Sequence, residues 1–333
     1  MTADNDGWRP TCLPCGHEVF DPSQVHYCGY ISLDALLSLA DPYASDPERH
    51  RPSIHPDERQ FVVVHQMREI AFAHWFEELR RVVDLLDPAS PDLVQAVDLL
   101  VHRVNGWVKL ATAATAPLHS MRPDDFARFR SRLAPASGME SAAFRRIELL
   151  SGIRPDVPFE LPVPGGGPPV RATYRDLLDR PPGPTEREFK TRLWISPGFD
   201  ELAAGHTLAS RFAALLAPEG FDAEGLYRWY DDFARPVWLE RGEPVPDNDT
   251  DLRRLRLKKL ADALLRYEEE VRYHRQGHLD LAKKQVEDKP GTGCTAGIPY
   301  LRAVVEQSVF FPDLRKVKEA RLEIIRAAKA WNG

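Results

Sequence analysis

Three pairs of side chains in this sequence have types and a spacing that could bind a ligand. They are Phe61 with His65, Phe126 with Arg130, and His274 with His278. Each pair is four residues apart, so on an α-helix both members project from one face about one turn apart. An aromatic ring, an imidazole or a guanidinium repeated in this way is a candidate binding surface.

Phe61 and His65 could together face a planar ligand, because an imidazole would stand beside a flat aromatic ring on a largely apolar helix. The alternative is a core histidine that hydrogen-bonds to a backbone carbonyl. Arg130 is costly to bury unless it meets an anion, and its planar fork suits a carboxylate. The alternatives for Arg130 are a side chain that reaches out to water and an internal ion pair.

His274 and His278 have the His-x3-His spacing that can bind one metal ion when both rings face it. Downstream, the segment GTGCTAGIPYLR is rich in glycine and contains the Thr292 hydroxyl. Exposed backbone N–H groups and a hydroxyl suit a ligand that carries a carboxylate. This part of the chain is therefore predicted to contain a metal-binding or anion-binding site.

The segments that carry these residues are predicted to be helices. Residues 58–81 contain no glycine or proline, and apolar residues recur at helical spacing: Phe61, Val64, Ile70, Phe72, Phe76 and Leu79. Further helical patterns cover residues 26–40, 92–116, 123–133, 141–153, 186–238 with breaks, and 251–287. Asp124 or Asp125 could cap the helix that follows Pro123. Strand signals are nearly absent, so the sequence predicts an all-α protein.

A stretch dense in proline and glycine, residues 151–185, interrupts this helical pattern. It predicts an irregular insertion or a small subdomain. Its Gly-Gly-Gly run lacks the context of a phosphate-binding loop. We therefore predict four parts: an N-terminal arm with a short helix (1–56), core helices (57–150), an insertion with a small helical subdomain (151–245), and a long helix, glycine-rich loop and C-terminal helix (246–333).

Composition restricts the functional classes. The chain has 333 residues and a formal net charge of −6, which argues against a nucleic-acid partner. The basic run RRLRLKK at 253–259 is interpreted as a solvated helix face. No apolar run reaches the ~18 residues that span a bilayer, and the polar N-terminus is unlike a secretory signal. We expect a cytoplasmic protein without a membrane segment.

Four cysteines do not make a disulfide framework in a chain of this length. Cys12 and Cys15 form a Cys-x2-Cys pair, and His17, His26 and Cys28 follow. These residue types could bind zinc, but the sequence has no second Cys-x2-Cys or His-x3-His nearby to complete the pattern. The role of the pair is left open.

Five separated blocks, in order, resemble tryptophan 2,3-dioxygenases, which are haem enzymes that open the indole ring with O2. The blocks are YCGYISLDALLSL, DERQFVVVHQ, LHSMRPDDFARFRSRLAPASG, RYHRQGHLDLAKKQ and GTGCTAGIPYLR. The resemblance implies an all-α bundle with haem b buried between helices. It also implies a homotetramer in which each subunit's N-terminal helix reaches a neighbouring site.

The same resemblance assigns roles to individual residues. His278 would be the proximal ligand of the haem iron, since it precedes Thr292 by the family's spacing, and His274 is the competing candidate. His65 would take the distal, catalytic position, where it can hydrogen-bond the indole N–H. Seven residues would contact the substrate: Phe61, Arg130, Phe126, Ser137, Thr292, Tyr27 and Tyr30.

The sequence departs from the family pattern at Met139-Glu140-Ser141 and at Cys294-Thr295-Ala296. The implied function is O2-dependent cleavage of the indole C2–C3 bond of L-tryptophan or a substituted tryptophan, giving an N-formylkynurenine. The alternatives are a haem monooxygenase that forms a hydroxylated or 2-oxindole product from a modified tryptophan such as β-methyltryptophan in secondary metabolism, and a catalytically inactive haem sensor.

Overall fold

A computed structural model describes residues 30–39, 55–133, 141–154, 159–161, 168–172, 206–236, 248–286, 297–307 and 309–331. Nearly all of these residues are helical, so the all-α prediction is confirmed. The elements are α1 (Leu33–Leu39), α2 (Pro56–Leu85), α3 (Leu93–Asp98), a π-helical segment (Leu99–Val104), α4 (Asn105–Ala113), a 3-10 turn (Ala116–Ser120), α5 (Pro123–Leu133), α6 (Ala142–Ser151), β1 (Phe159–Leu161), β2 (Val170–Ala172), α7 (Leu208–Leu216), a 3-10 turn (Ala217–Glu219), α8 (Ala223–Trp229), a second π-helical segment (Tyr230–Ala234), α9 (Asp249–Val286), α10 (Ile298–Gln307) and α11 (Pro312–Trp331).

Helix α2 begins two residues before the predicted segment and ends four residues after it. The His55 side chain caps it by accepting a hydrogen bond from the Asp57 N–H at 3.3 Å, and Pro56 occupies the first turn, where no N–H donor is needed. The prediction that Ile70 belongs to the buried stripe is wrong, because its side chain is 47% exposed. The residues beside it, Ala71 and Phe72, face the core instead.

Helix α9 has 38 residues and is the longest helix in the described parts of the chain. It packs against α2 through the main hydrophobic core, where the Trp75 indole N–H donates to the Tyr267 hydroxyl at 3.2 Å. The Tyr267 hydroxyl also bonds to the Ser151 hydroxyl at 2.7 Å. These bonds join three helices in a buried region, where an unpaired polar group would be costly.

Helix α6 is defined at both ends. The Ser141 hydroxyl caps it by accepting from the Phe144 N–H at 3.3 Å. Gly152 follows with a φ of +124°, and a Cβ at this position would lie 2.5 Å from the Cβ of Ala209. Glycine is therefore required for α6 to end against α7.

Three other predictions need correction. Helix α5 begins at Pro123, so Asp124 and Asp125 lie in its first turn and neither is the cap. The helix predicted at 92–116 is interrupted by a π-helical segment. The stretch predicted to be irregular contains two three-residue strands, which pair antiparallel with Glu160 opposite Arg171.

The four-part division of the chain stays a prediction, because residues 173–205 and 237–247 are outside the described ranges. Within those ranges, none of the helices combines the length and the apolar character needed to cross a membrane.

Candidate functional site

A cavity of about 280 Å³ lies among α2, α5, α6, α9 and α10. Its walls are mainly apolar, and on the α5 side they belong to a small hydrophobic cluster separate from the main core. Polar side chains also line it, among them His65, Arg68, Arg130, Arg145, His274 and His278. The fold therefore brings all three sequence-predicted pairs to one cavity, since Phe61 and Phe126 line it as well.

Helix α2 presents Phe61 and His65 to this cavity with their ring centroids 4.1 Å apart. The Nδ1 atom of His65 lies 2.7 Å from the carbonyl oxygen of Phe61, which can only accept a hydrogen bond. Nδ1 must then carry the ring proton, so Nε2 is left as an acceptor. Burial lowers the pKa of His65 to about 4, although the hydrogen bond to the Phe61 carbonyl acts in the opposite direction and raises it. The ring is thus neutral at pH 7.

Phe126 and Arg130 on α5 meet the α2 pair across the cavity wall. The Phe61 and Phe126 ring centroids are 5.7 Å apart, although the residues are distant in sequence. Phe129 packs behind them, 5.8 Å from Phe61 by ring centroids. Arg130 is partly exposed on the cavity lining. One apolar surface therefore has an imidazole on one helix and a guanidinium on another.

His274 and His278 both line the cavity, but their surroundings differ. The guanidinium of Arg68 donates to His274 Nε2 at 3.3 Å, and His274 Nδ1–H donates to the Thr112 hydroxyl at 3.0 Å. Thr112 cannot be the donor there, because its own proton goes to the Val108 carbonyl at 2.8 Å. Both nitrogens of His274 are therefore engaged.

The ring of His278 forms no hydrogen bond with any residue that the structure describes. Burial lowers its pKa to about 3, with smaller contributions from the nearby charges of Arg68, His65 and Arg145. The imidazole is neutral at pH 7, with a lone pair free to bind a metal. Of the two histidines on α9, the geometry favours His278 as a ligand.

A buried ionic bridge sets the position of α9. The Glu148 carboxylate on α6 is 1% exposed and accepts from Arg145 at 2.7 Å and from Arg275 at 2.6 Å. Arg275 is three residues before His278, so this bridge limits rotation of the helix that carries it. Near the end of α9, the Gln285 amide donates to the carbonyls of Leu118 and Met121 at 3.2 and 2.9 Å.

Sequence reasoning missed Arg68. It follows His65 by three residues on α2, a spacing that places both on one helical face, so the signal was present. It also missed Glu148, whose importance depends on an arginine 127 residues away.

Some predicted site residues are not among those described: Tyr27, Ser137 and Thr292, together with Cys12 and Cys15. Tyr30 is described, is 78% exposed, and does not line the cavity of its own chain.

The sequence model of the family described as tryptophan 2,3-dioxygenase matches residues 13–160, which include Phe61, His65 and Arg130. A tryptophan 2,3-dioxygenase of Anaeromyxobacter dehalogenans is 29% identical over 310 residues, covering 90% of this chain and 99% of that protein. These matches support the tryptophan 2,3-dioxygenase family for this chain. Other family members of this name include one from a Nocardioides species, 29% identical over 84% of this chain and 89% of its own length. One from Bacillus thuringiensis is 26% identical over 88% of this chain and 91% of its own length.

The residues of the cavity fit haem b. A neutral imidazole with an available lone pair is the donor that a haem iron takes on its proximal side, and the half-buried ring of His278 has these properties. Apolar walls from α5 and α10 suit the macrocycle. In this family, His278 is accordingly the candidate ligand, and His65 is the candidate distal residue.

Proposed function

We propose that this protein is a haem-dependent oxygenase that cleaves the indole C2–C3 bond of L-tryptophan or a substituted tryptophan with O2. The family matches make the chain an oxidoreductase of the dioxygenase type. The observation that carries the finer proposal is the meeting of Phe61, His65, Phe126, Arg130 and His278 in one cavity. A binding protein without catalysis would have no need to combine a metal ligand with an indole-sized apolar surface and a cation.

Each of these residues has a distinct task in the proposal. His278 would hold the haem iron through a ring-nitrogen lone pair. Phe61 and Phe126 would pack against the indole, since their rings contact each other in a tilted arrangement within the apolar cluster. The guanidinium of Arg130 would bind the substrate carboxylate with its planar fork. Thr292, Ser137 and Tyr27 are proposed contacts on the strength of the sequence resemblance alone.

His65 would orient the indole. Because its Nδ1–H is committed to the Phe61 carbonyl, Nε2 is an acceptor and can receive a hydrogen bond from the indole N–H. The low pKa of the ring, about 4, keeps Nε2 unprotonated at neutral pH. Bound haem would supply the site of O2 activation, while the protein fixes the ring and excludes water.

The overall reaction joins tryptophan and O2 to give N-formylkynurenine, so both oxygen atoms enter the product and no external electrons are consumed. In the test, haem-loaded protein is first reduced in the absence of oxygen and mixed with L-tryptophan. The mixture is then exposed to 18O2, and the product is analysed by mass spectrometry. Two labelled atoms without added reductant would support the proposal. One labelled atom, or a requirement for a reductant and a modified tryptophan, would instead identify the monooxygenase alternative. No turnover with intact ferrous haem would favour a sensor.

We also propose a homotetramer, in which Tyr27 and Tyr30 complete a neighbouring site. Exposure on α1 supports this proposal, because Tyr30, Leu36 and Leu37 are 78%, 44% and 54% exposed. A short helix with exposed apolar residues is stabilised by burial against another surface. Light scattering of the purified protein would give the mass; a monomer at micromolar concentration would contradict the proposal.

A further inference from the structure

Arg68 is half-buried and has an unusual environment for an arginine. It lines the cavity about two turns of α2 beyond Phe61, and burial lowers the pKa of its guanidinium to about 10. Its Nε is buried and has no hydrogen-bond partner among the described residues. No carboxylate that the structure describes forms an ion pair with it.

The polar partner of Arg68 is His274, a neutral acceptor that cannot balance the charge. The ring of Phe72, 5.3 Å from the guanidinium carbon, offers only a weak cation–π contact. Glu69 is exposed and acts on Arg68 at a distance. By contrast, Arg145, on the same cavity wall, has a carboxylate 2.7 Å away.

A charge that is largely shielded from water and has no counter-ion is costly, and proteins keep such a charge where a ligand completes it. We infer that Arg68 is a second anion-binding residue of the cavity, and that it binds a carboxylate at the inner end, beyond the indole subsite. Arg130 accounts for the α-carboxylate of an amino-acid substrate, so the second carboxylate has another origin. It belongs either to a haem propionate or to an acidic substituent on the substrate's ring. This inference rests on the proposed function for the identity of the cofactor.

The experiment compares wild type with Arg68→Met, which keeps the length and apolar packing but removes the charge, and with Arg68→Lys, which keeps the charge. Each protein is loaded with haem b or with haem dimethyl ester, whose propionates are capped. Haem release is followed by transfer to excess apomyoglobin.

If the carboxylate is a propionate, Arg68→Met should release haem b about tenfold faster than wild type, as loss of a charged hydrogen bond predicts. Haem dimethyl ester should be released at the same rate from wild type and from Arg68→Met. Arg68→Lys should release haem b at a rate between those of wild type and Arg68→Met, because it keeps the charge but loses the planar fork. The Arg68→Met apoprotein should melt close to the wild-type temperature, because removal of a charge without a described counter-ion offsets the loss of its hydrogen bond to His274.

If the carboxylate belongs to the substrate, haem release will not change in Arg68→Met. That variant should then lose about tenfold in affinity for a tryptophan with a carboxylate on its six-membered ring, while its Kd for L-tryptophan is retained. Unchanged haem release together with unchanged Kd for the carboxylated tryptophan would overturn the inference. So would a lower melting temperature of the apoprotein as the only effect, since Arg68 would then be structural.

The proposed function fails in a distinguishable way. A wild-type protein that takes up no haem would refute the haem oxygenase and the propionate source together. Calorimetric titration of the same apoproteins with the carboxylated tryptophan would then decide the role of Arg68.

Discussion

Replacing His278 with alanine gives the sharpest test of the proposed site, with His274→Phe as its matched comparison. Both histidines lie on α9 and both line the cavity, so their location does not separate them. Their hydrogen bonds do, because Arg68 and Thr112 occupy the two nitrogens of His274 at 3.3 and 3.0 Å. We expect His278→Ala to lose stable haem binding and His274→Phe to keep it.

The magnitude follows from what His274 would have to give up in order to replace His278. Its bond to the Arg68 guanidinium is of the charged kind, about 1.5–3 kcal/mol, and its bond to Thr112 is neutral, about 0.5–1.5 kcal/mol. Breaking both costs about 2–4.5 kcal/mol, or roughly a 30- to 2,000-fold loss of haem affinity. The ring would also leave its contacts with Phe72 and Phe144, at centroid distances of 5.6 and 5.7 Å.

Haem titration followed at the Soret band measures the affinity, and resonance Raman of the ferrous form reports the iron–histidine bond. In His278→Ala that bond should be absent at haem concentrations that saturate wild type. Adding Thr112→Val to His278→Ala should recover affinity by several-fold to about tenfold, since one bond that holds His274 is removed. Circular dichroism confirms that the variants fold. Full haem occupancy with an intact iron–histidine band in His278→Ala, and its loss in His274→Phe, would refute the reasoning.

Three further predictions concern the other polar residues of the site. Arg130→Ala should weaken tryptophan binding by about 2–3 kcal/mol, roughly 30- to 150-fold. The control Arg128→Ala, on the exposed face of the same helix, should leave binding unchanged. Equal Kd values for the two variants in a fluorescence or spectral titration would contradict a role of Arg130 in binding the carboxylate. Glu148→Gln should lower the free energy of unfolding by about 3–5 kcal/mol, because two arginines lose a buried carboxylate. The control Glu319→Gln, in an exposed pair with Arg315, should lower it by less than about 1 kcal/mol. Urea unfolding measures both values. Folding lowers the pKa of His65 from 6.5 to about 4. Its contribution to the free energy of unfolding is therefore fully present above pH 6.5 and is lost as the pH falls toward 4, because the unfolded chain then binds a proton that the folded chain does not. Apoprotein unfolding between pH 7 and 4 should lose up to about 3 kcal/mol from this group, and a His65→Gln variant with the same pH profile as wild type would exclude it.

The sequence by itself determined the helices and the local pairs. Period-3.6 patterning and the absence of glycine and proline are sufficient to form α2, and the backbone geometry of any helix puts Phe61 beside His65. Five ordered blocks of resemblance then indicated the family. Ile70 shows the limit of this reasoning, since an apolar residue at roughly helical spacing is on the stripe only if a neighbouring element covers it.

Tertiary structure decided which side chains are available for chemistry. His274 and His278 both line the cavity, and they differ because α2 and α4 supply Arg68 and Thr112 to one ring and no hydrogen bond to the other. Phe126 meets Phe61 only because α5 packs across α2. Glu148 pairs with Arg275 because α6 lies against α9. Such partners are distant in sequence, and the free energy of a buried charge depends on what surrounds it in three dimensions. Local sequence determines where the helices form, whereas the packing of the whole core determines whether a lone pair or a cation is available.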